Sequence, residues 1–270
     1  MAEAHGISQP NRKRLEALHR RVKGPFTVAE AANAWSLEPV RARRLAAYLA
    51  AGGWLSRVQR GCYTTVPLGA TSPRHWREDP WVVAAKLFAP CYLGGWTACE
   101  HWGLTEQIFR EMVVVTTRRV RHRRAEIQGT RFRVKVVSKE RMFGLTEVWR
   151  AQSKLKVSDP TRTIVDLLDD PALGGGMRHV AEVLRAYFES PVRNDGALAD
   201  YAKRIGNRTV FKRLGYLLEA LNLRSVALSQ LCTRQMSTGI SLLDPSGKPT
   251  GPILKRWGLR VNVRLKDGAE

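Results

Sequence analysis

Residues 39–65 read PVRARRLAAYLAAGGWLSRVQRGCYTT. Ala42, Leu45, Ala46 and Leu49 recur at i, i+3, i+4 and i+7, which predicts a helix over about 39–51 with one apolar stripe. Pro39 suits the first helical position, where a missing N–H costs nothing, and Gly52-Gly53 ends the helix. On the opposite side the same spacing groups Arg41, Arg44 and Tyr48, with Arg43 on the flank. Beyond the glycines, two short strands, about 54–58 and 61–66, are joined by a turn around Gln59, Arg60 and Gly61.

Upstream, Leu15, Leu18 and Val22 form the apolar face of a first helix that Gly24 and Pro25 stop. Thr27 and Glu30 have the spacing of a capping box, opening a second helix whose stripe is Val28, Ala31, Ala32 and Trp35. Three helices followed by a β-hairpin is the order of a winged helix-turn-helix. A helix of that kind lays arginines against guanine edges in the major groove, while the hairpin grips phosphates or the minor groove. The expected DNA contacts are therefore Arg41, Arg44 and Tyr48 at the groove, Arg43 and Thr27 at the backbone, and Arg57, Gln59 and Arg60 on the wing. Residues 1–66 carry eleven Lys and Arg against four Glu and no Asp, which favours a polyanionic partner.

The whole chain repeats that bias. Its 270 residues hold 45 Lys plus Arg and 24 Asp plus Glu, a net charge of +21 with a pI near 10.6. No apolar run approaches the roughly 18 residues of a membrane span, and MAEAHGISQPNRKR lacks the apolar segment of a signal peptide, so a cytoplasmic protein is expected. Cys62, Cys91, Cys99 and Cys232 have neither disulfide-framework nor C-x-x-C spacing, and they read as reduced thiols.

PLGATSPRHWREDP (67–80), with three prolines and no apolar period, reads as a linker or strapped connection. A larger domain follows over 81–270. Asp79 and Pro80 open a helix through about 88, CYL (91–93) is a short strand, and Thr97 with Glu100 matches a second capping box before a short helix. Strands are expected at 112–117, 131–137, 146–150 and 154–158, then helices at about 160–169, 176–189, 195–205, 208–222 and 225–236, with closing strands at 240–244 and 259–263. The predicted class is α+β: an N-terminal winged helix followed by a larger mixed domain ending in a helical bundle.

Candidate chemistry in that domain is mostly explained by structure. Arg118, Arg119, Arg121, Arg123 and Arg124 precede a strand that alternates Arg131, Arg133 and Lys135 with Phe132, Val134 and Val136. The spacing predicts a cationic face opposite a core face, fit for RNA, flanking DNA or an acidic protein. SDPTRTIVDLLDD (158–170) gathers Asp159, Arg162 and Asp166, but a helix cap by Asp159 or Ser158, Pro160 at the helix start and an i, i+4 pair of Arg162 with Asp166 account for them. In GGWTACEHWGLTEQ (94–107), His101 lies among Glu100 and Glu106, but a capping box explains Glu100, and Trp96 and Trp102 read as a packed pair. A metal-dependent nuclease would need clustered carboxylates beside an E-x-K or Q-x-K strand. Only Gln152-Ser153-Lys154 matches, and GGG at 174–176 lacks the Lys and Ser/Thr of a phosphate loop. No catalytic residue, metal or cofactor is expected.

Five segments in order, the helix-hairpin ending in RGCYTT, DPWVVAAKLFAPCYLGGWTACEHWGLTEQ, VSDPTRTIVDLLDDP, GNRTVFKRLGYLLE and RWGLRVNV, resemble the AbiEi family of antitoxins over about residues 12–264. The resemblance implies a type IV toxin–antitoxin, phage abortive-infection context. The N-terminal winged helix would repress its own operon at inverted repeats, and the C-terminal domain would counteract a co-encoded nucleotidyltransferase toxin. Carried onto this chain, repression falls to residues 27–60 and antitoxicity to about 80–264. Similar segments also occur fused to endonuclease-like domains, so an orphan winged-helix regulator and a nucleic-acid-targeted nuclease are the alternatives.

Overall fold

The computed structural model describes residues 7–265 except 68, 73, 74 and 151. Residues 1–6 of the N-terminal stretch and residues 68, 73 and 74 of the 67–80 segment lie outside the described residues.

The N-terminal unit is built of α1 (Gln9–Arg21), β1 (Phe26–Thr27), α2 (Val28–Trp35), α3 (Pro39–Ala51), β2 (Leu55–Gln59) and β3 (Cys62–Thr65). Its sheet has the order β1-β3-β2, with Phe26 opposite Tyr63 and Thr27 opposite Cys62. The two-residue strand β1 was not foreseen, since the stretch at Gly24 and Pro25 reads only as a helix stop. Alanines at 31, 32, 34, 42 and 46 let α2 and α3 pack closely over Leu18, Phe26, Leu49 and Leu55.

A six-stranded mixed sheet forms the centre of the second unit. Its strands are β4 (Cys91–Leu93), β5 (Glu111–Thr116), β6 (Arg124–Ile127), β7 (Thr130–Val136), β8 (Leu145–Arg150) and β9 (Ser153–Ser158), in the order β6-β7-β5-β4-β9-β8. One face is covered by α4 (Pro80–Leu87), through Val83, Ala84 and Phe88 against Leu93, Val114, Phe132 and Val157. The other carries α5 (Gly95–His101), α6 (Pro160–Asp169) and behind them α7 (Met177–Glu189), α8 (Asp195–Arg204), α9 (Thr209–Ala220) and α10 (Val226–Gln235). Short strands β10 (Ser241–Leu242), β11 (Ile253–Leu254) and β12 (Leu259–Arg260) close the chain in the order β10-β12-β11. The class is α+β, and among the described residues no helix is long and apolar enough to cross a membrane.

Two local expectations are corrected. Thr97 caps nothing: α5 already begins at Gly95, and the Thr97 hydroxyl accepts the Val113 N–H at 2.9 Å, joining helix to sheet. Trp96 and Trp102 are not a pair. Trp96 stacks on Phe109, with centroids 4.7 Å apart, and donates to the Glu111 carbonyl, whereas Trp102 donates to the Ser158 carbonyl at 2.7 Å.

The 67–80 segment ends strapped to both units. Ser56 donates to the Trp76 carbonyl at 2.7 Å, Thr64 to the Glu78 carboxylate at 2.6 Å, and the Glu78 N–H donates to the Gln128 side chain at 3.2 Å. Val58 and Cys62 of the hairpin belong to the same apolar cluster as α4 and the sheet. The hairpin is thus shared between the two cores.

Candidate nucleic-acid interface

Pro39 occupies the first turn of α3, and Ala42, Ala46 and Leu49 are buried with Leu45 half-buried, as the spacing requires. That leaves Arg41, Arg43, Arg44 and Tyr48 exposed, Tyr48 at 62%. The burial pattern of β2 is broken by a bulge between Arg57 and Gln59, so Leu55 and Val58 are buried while Arg57 and Gln59 both face out. The turn is only Arg60-Gly61, since Gln59 pairs directly with Cys62, and Gly61 takes the positive φ of 77° that this tight reversal needs. A backbone bond from the Val28 N–H to the Gly61 carbonyl, 3.1 Å, pins the wing tip to the start of α2.

Arg41, Arg43, Arg44, Arg57 and Arg60 make no side-chain hydrogen bond or ion pair among the described residues. Five guanidinium groups thus stand unspent on one helix face and one hairpin. Guanidinium forks aimed outward from a rigid frame are the donors that read guanine edges and grip phosphates.

Thr27 behaves differently. Its N–H donates to the Glu30 carboxylate at 2.7 Å and its hydroxyl does so at 2.9 Å, completing the capping box. The hydroxyl expected at the DNA backbone is therefore committed inside the cap. Lys86 of α4 also reaches Glu30, at 2.5 Å. Burial raises the Glu30 carboxyl, but the bonds from Lys86 and Thr27 outweigh it and hold the group below the usual carboxylate range.

The second basic element divides in two. Arg118, Arg119, Arg121 and Arg123 are exposed on the loop 117–123. Arg124 and Arg131 are exposed too, with loose contacts to Glu111 at 3.8 Å and Glu126 at 3.7 Å. Arg133 and Lys135, expected on a free cationic face, are instead turned under the helices. Arg133 lies over the Trp96 ring at 4.8 Å and bonds the Ala172 carbonyl at 2.8 Å and Glu111 at 3.2 Å. Lys135 pairs with Asp169 at 3.0 Å and Asp170 at 3.1 Å. Strand alternation separates the two faces correctly, but α5 and the turn Pro171–Gly174 cover the one that reads as open.

The remaining candidates are structural in geometry. Arg162, fully buried, bonds Asp166 at 2.9 Å, the Phe143 carbonyl at 2.9 Å and the Tyr92 hydroxyl at 3.0 Å. Asp159 accepts the Arg162 N–H at 2.7 Å as the expected cap. The His101 ring sits edge-on to Trp81 and Trp102, and burial together with the Arg150 cation pushes its pKa down. Burial pushes Cys62 up to about 11 and Cys91 and Cys232 up to about 12, far from thiolate reactivity. Among the described residues, no group of three or more His, Cys, Asp or Glu side chains could hold a metal ion.

One residue that matters here had no signal beyond a Gln-Gly turn. Gln128, at a positive φ of 49°, donates to the Ser56 hydroxyl at 3.0 Å and the Arg57 carbonyl at 3.3 Å, fastening the wing to the second unit.

The fold is similar to that of the Rv2827c protein from Mycobacterium tuberculosis, known from its crystal structure. The TM-score is 0.63, with 94% of this chain and 92% of that chain covered at 15% identity, a likeness of fold alone. No protein-family model and no curated protein matches the chain.

Proposed function

We propose that the protein is a DNA-binding transcriptional repressor of its own operon and an antitoxin against a co-encoded nucleotidyltransferase-type toxin, acting in the cytoplasm without catalysis of its own. The observation that carries the DNA-binding part is the set of unspent guanidiniums, Arg41, Arg43, Arg44, Arg57 and Arg60, on an exposed helix face and its wing. In this reading α3 enters the major groove, Arg41 or Arg44 makes bidentate bonds to a guanine, Tyr48 packs a turn further on, and Arg57 and Arg60 hold the flanking backbone. Two copies on an inverted repeat would occlude the promoter. The antitoxin part rests on the resemblance of the five ordered segments, and it falls to the domain built on the six-stranded sheet.

Gel-shift titration of the purified chain against the DNA upstream of its gene tests the first part. A specific complex that weakens steeply with salt is expected. Arg41→Ala and Arg44→Ala should each cost roughly 1–3 kcal/mol if the residue reads a base, and blur preference at one position. The absence of any specific complex across a salt series overturns the reading. Co-expression with the neighbouring toxin gene tests the second part, with restored growth expected.

A further inference from the structure

The loop 117–123 lies against the same frame that holds the wing. Arg118 donates to the carbonyl of Leu87, the last residue of α4, at 2.9 Å. The residue before it, Lys86, holds Glu30 in the first turn of α2. Val28, also in that turn, is bonded to Gly61 at the wing tip. Wing tip, start of α2, end of α4 and arginine loop therefore follow one another through direct contacts along one edge. Val120, in the middle of the loop, packs into the cluster that contains Val58 and Cys62 of the wing. Gln128 and the strapped 76–80 segment lock the same two units together.

The charge along this edge is uncompensated. Arg119, Arg121 and Arg123 make no side-chain bond or ion pair among the described residues. The nearby carboxylates are engaged: Glu30 with Lys86, Glu111 with Arg133 and Arg124, and Glu126 with Arg131. Base edges are read by the element that enters a groove, here α3, whereas unpaired arginines on a loop outside it are placed for backbone phosphate.

We propose that the loop 117–123 is a second DNA-contact element, in which Arg119, Arg121 and Arg123 grip phosphates of the duplex beyond the wing. This deepens the DNA-binding reading and rests on it. The second unit thereby lengthens the footprint of each copy on the wing side and adds affinity without sequence preference. RNA or an acidic protein would also suit the charge, but duplex DNA is the polyanion that continuity with α3 and the wing brings to this loop.

The test compares the full-length wild type with R119Q/R121Q/R123Q. Anisotropy titrations with the upstream duplex from 50 to 200 mM salt are paired with hydroxyl-radical footprints. Each lost phosphate contact lowers the slope of log K against log salt by about 0.9. The triple variant should lose about 2.7 from the slope, so fourfold more salt costs the wild type about 40-fold more affinity than the variant. Preference among base substitutions in the operator should be unchanged, and protection should shorten on the wing side. R121Q alone, with an unaltered thermal melt, should lose about a third as much slope. A wild type that binds specifically while the triple variant keeps its slope and footprint overturns the loop proposal alone. A wild type that binds no duplex specifically overturns the reading beneath it.

Discussion

The most chemistry-like segment, SDPTRTIVDLLDD, makes a sharp prediction because its geometry is so closed. In Arg162→Met, Asp166 loses its only direct cationic hydrogen-bond partner among the described residues, and the Phe143 carbonyl loses the 2.9 Å donor. Tyr92 still donates to Asp166 at 2.8 Å, and burial beside that carboxylate raises its pKa well above normal, so it stays a neutral donor. A hydroxyl does not replace a counter-charge. Removing one partner of a buried ion pair costs about 3–5 kcal/mol, which for a unit of this size is a melting-temperature drop of about 6–20 °C. In Arg162→Met with Asp166→Leu no buried charge remains, only an unpaired carbonyl and hydroxyl worth about 1–3 kcal/mol each. The Phe143 carbonyl is orphaned in both variants, so about 1–3 kcal/mol for the hydroxyl stands against about 3–5 kcal/mol for the uncompensated carboxylate, and the double variant should melt higher than Arg162→Met alone. Thermal unfolding followed by circular dichroism measures this, and operator affinity well below the melting point should be unchanged. A single variant melting within about 2 °C of wild type, or a double variant as unstable as the two singles summed, refutes a structural role for the network.

Other residues give independent checks. Thr27→Ala removes the α2 capping box and should cost about 1 kcal/mol in urea unfolding, with Thr27→Ser restoring most of it. The Trp257 ring lies directly on the Cα of Gly215 in α9, so Gly215→Ala should overpack that contact by about 1–3 kcal/mol, and Gly215→Ala with Trp257→Leu should recover part. Burial raises the Asp169 carboxyl, but Lys135, Asn207 and Arg141 outweigh it and hold the group below its ordinary value. Its folded pKa being the lower one, the stability advantage of wild type over Asp169→Asn should be full above about pH 5 and shrink as pH falls below about 3.9, as unfolding curves at stepped pH will read. Val58→Asp puts a charge between wing and α4, and calorimetry should then resolve two transitions where a single one is expected of the wild type.

Elements whose stability is local were legible in the sequence. The stripes of α1 to α3, the Thr27–Glu30 box, the Asp159 cap and the Arg162–Asp166 pair all lie within one or two helical turns, where spacing alone decides contact. What escaped depends on distant partners. β1 is two residues long and exists because β3, over thirty residues on, offers it a ladder. Thr97-x-x-Glu100 has the pattern of a cap, but the sheet claims its hydroxyl. Arg133 and Lys135 alternate as residues on an open face would, but Lys135 finds its acids at Asp169 and Asp170, and Arg133 is held by Glu111 and the Ala172 carbonyl over the Trp96 ring.

This separates the cations into two populations that composition merges into a net +21. Inside the second unit, cations do structural work on backbone carbonyls. Lys212 bonds the Gly239 carbonyl at 2.7 Å, and Arg213 bonds the Leu168 and Leu243 carbonyls at 2.7 and 3.0 Å, tying α9 to α6 and the C-terminal sheet. Burial pushes both groups down, the direction expected of cations withdrawn from water. Among the described residues, Arg41, Arg43 and Arg44 of α3, Arg57 and Arg60 of the wing, and Arg119, Arg121 and Arg123 of the loop 117–123 have no such employment, while Arg118 anchors that loop on the Leu87 carbonyl. Self-repulsion among them costs stability that salt screening or a bound polyanion relieves. Because the wing's inner face is built into the second core, wing and sheet are joined by shared packing and hydrogen bonds, and under the proposed DNA-binding function a duplex docked on α3 would meet the rest of the chain in one orientation.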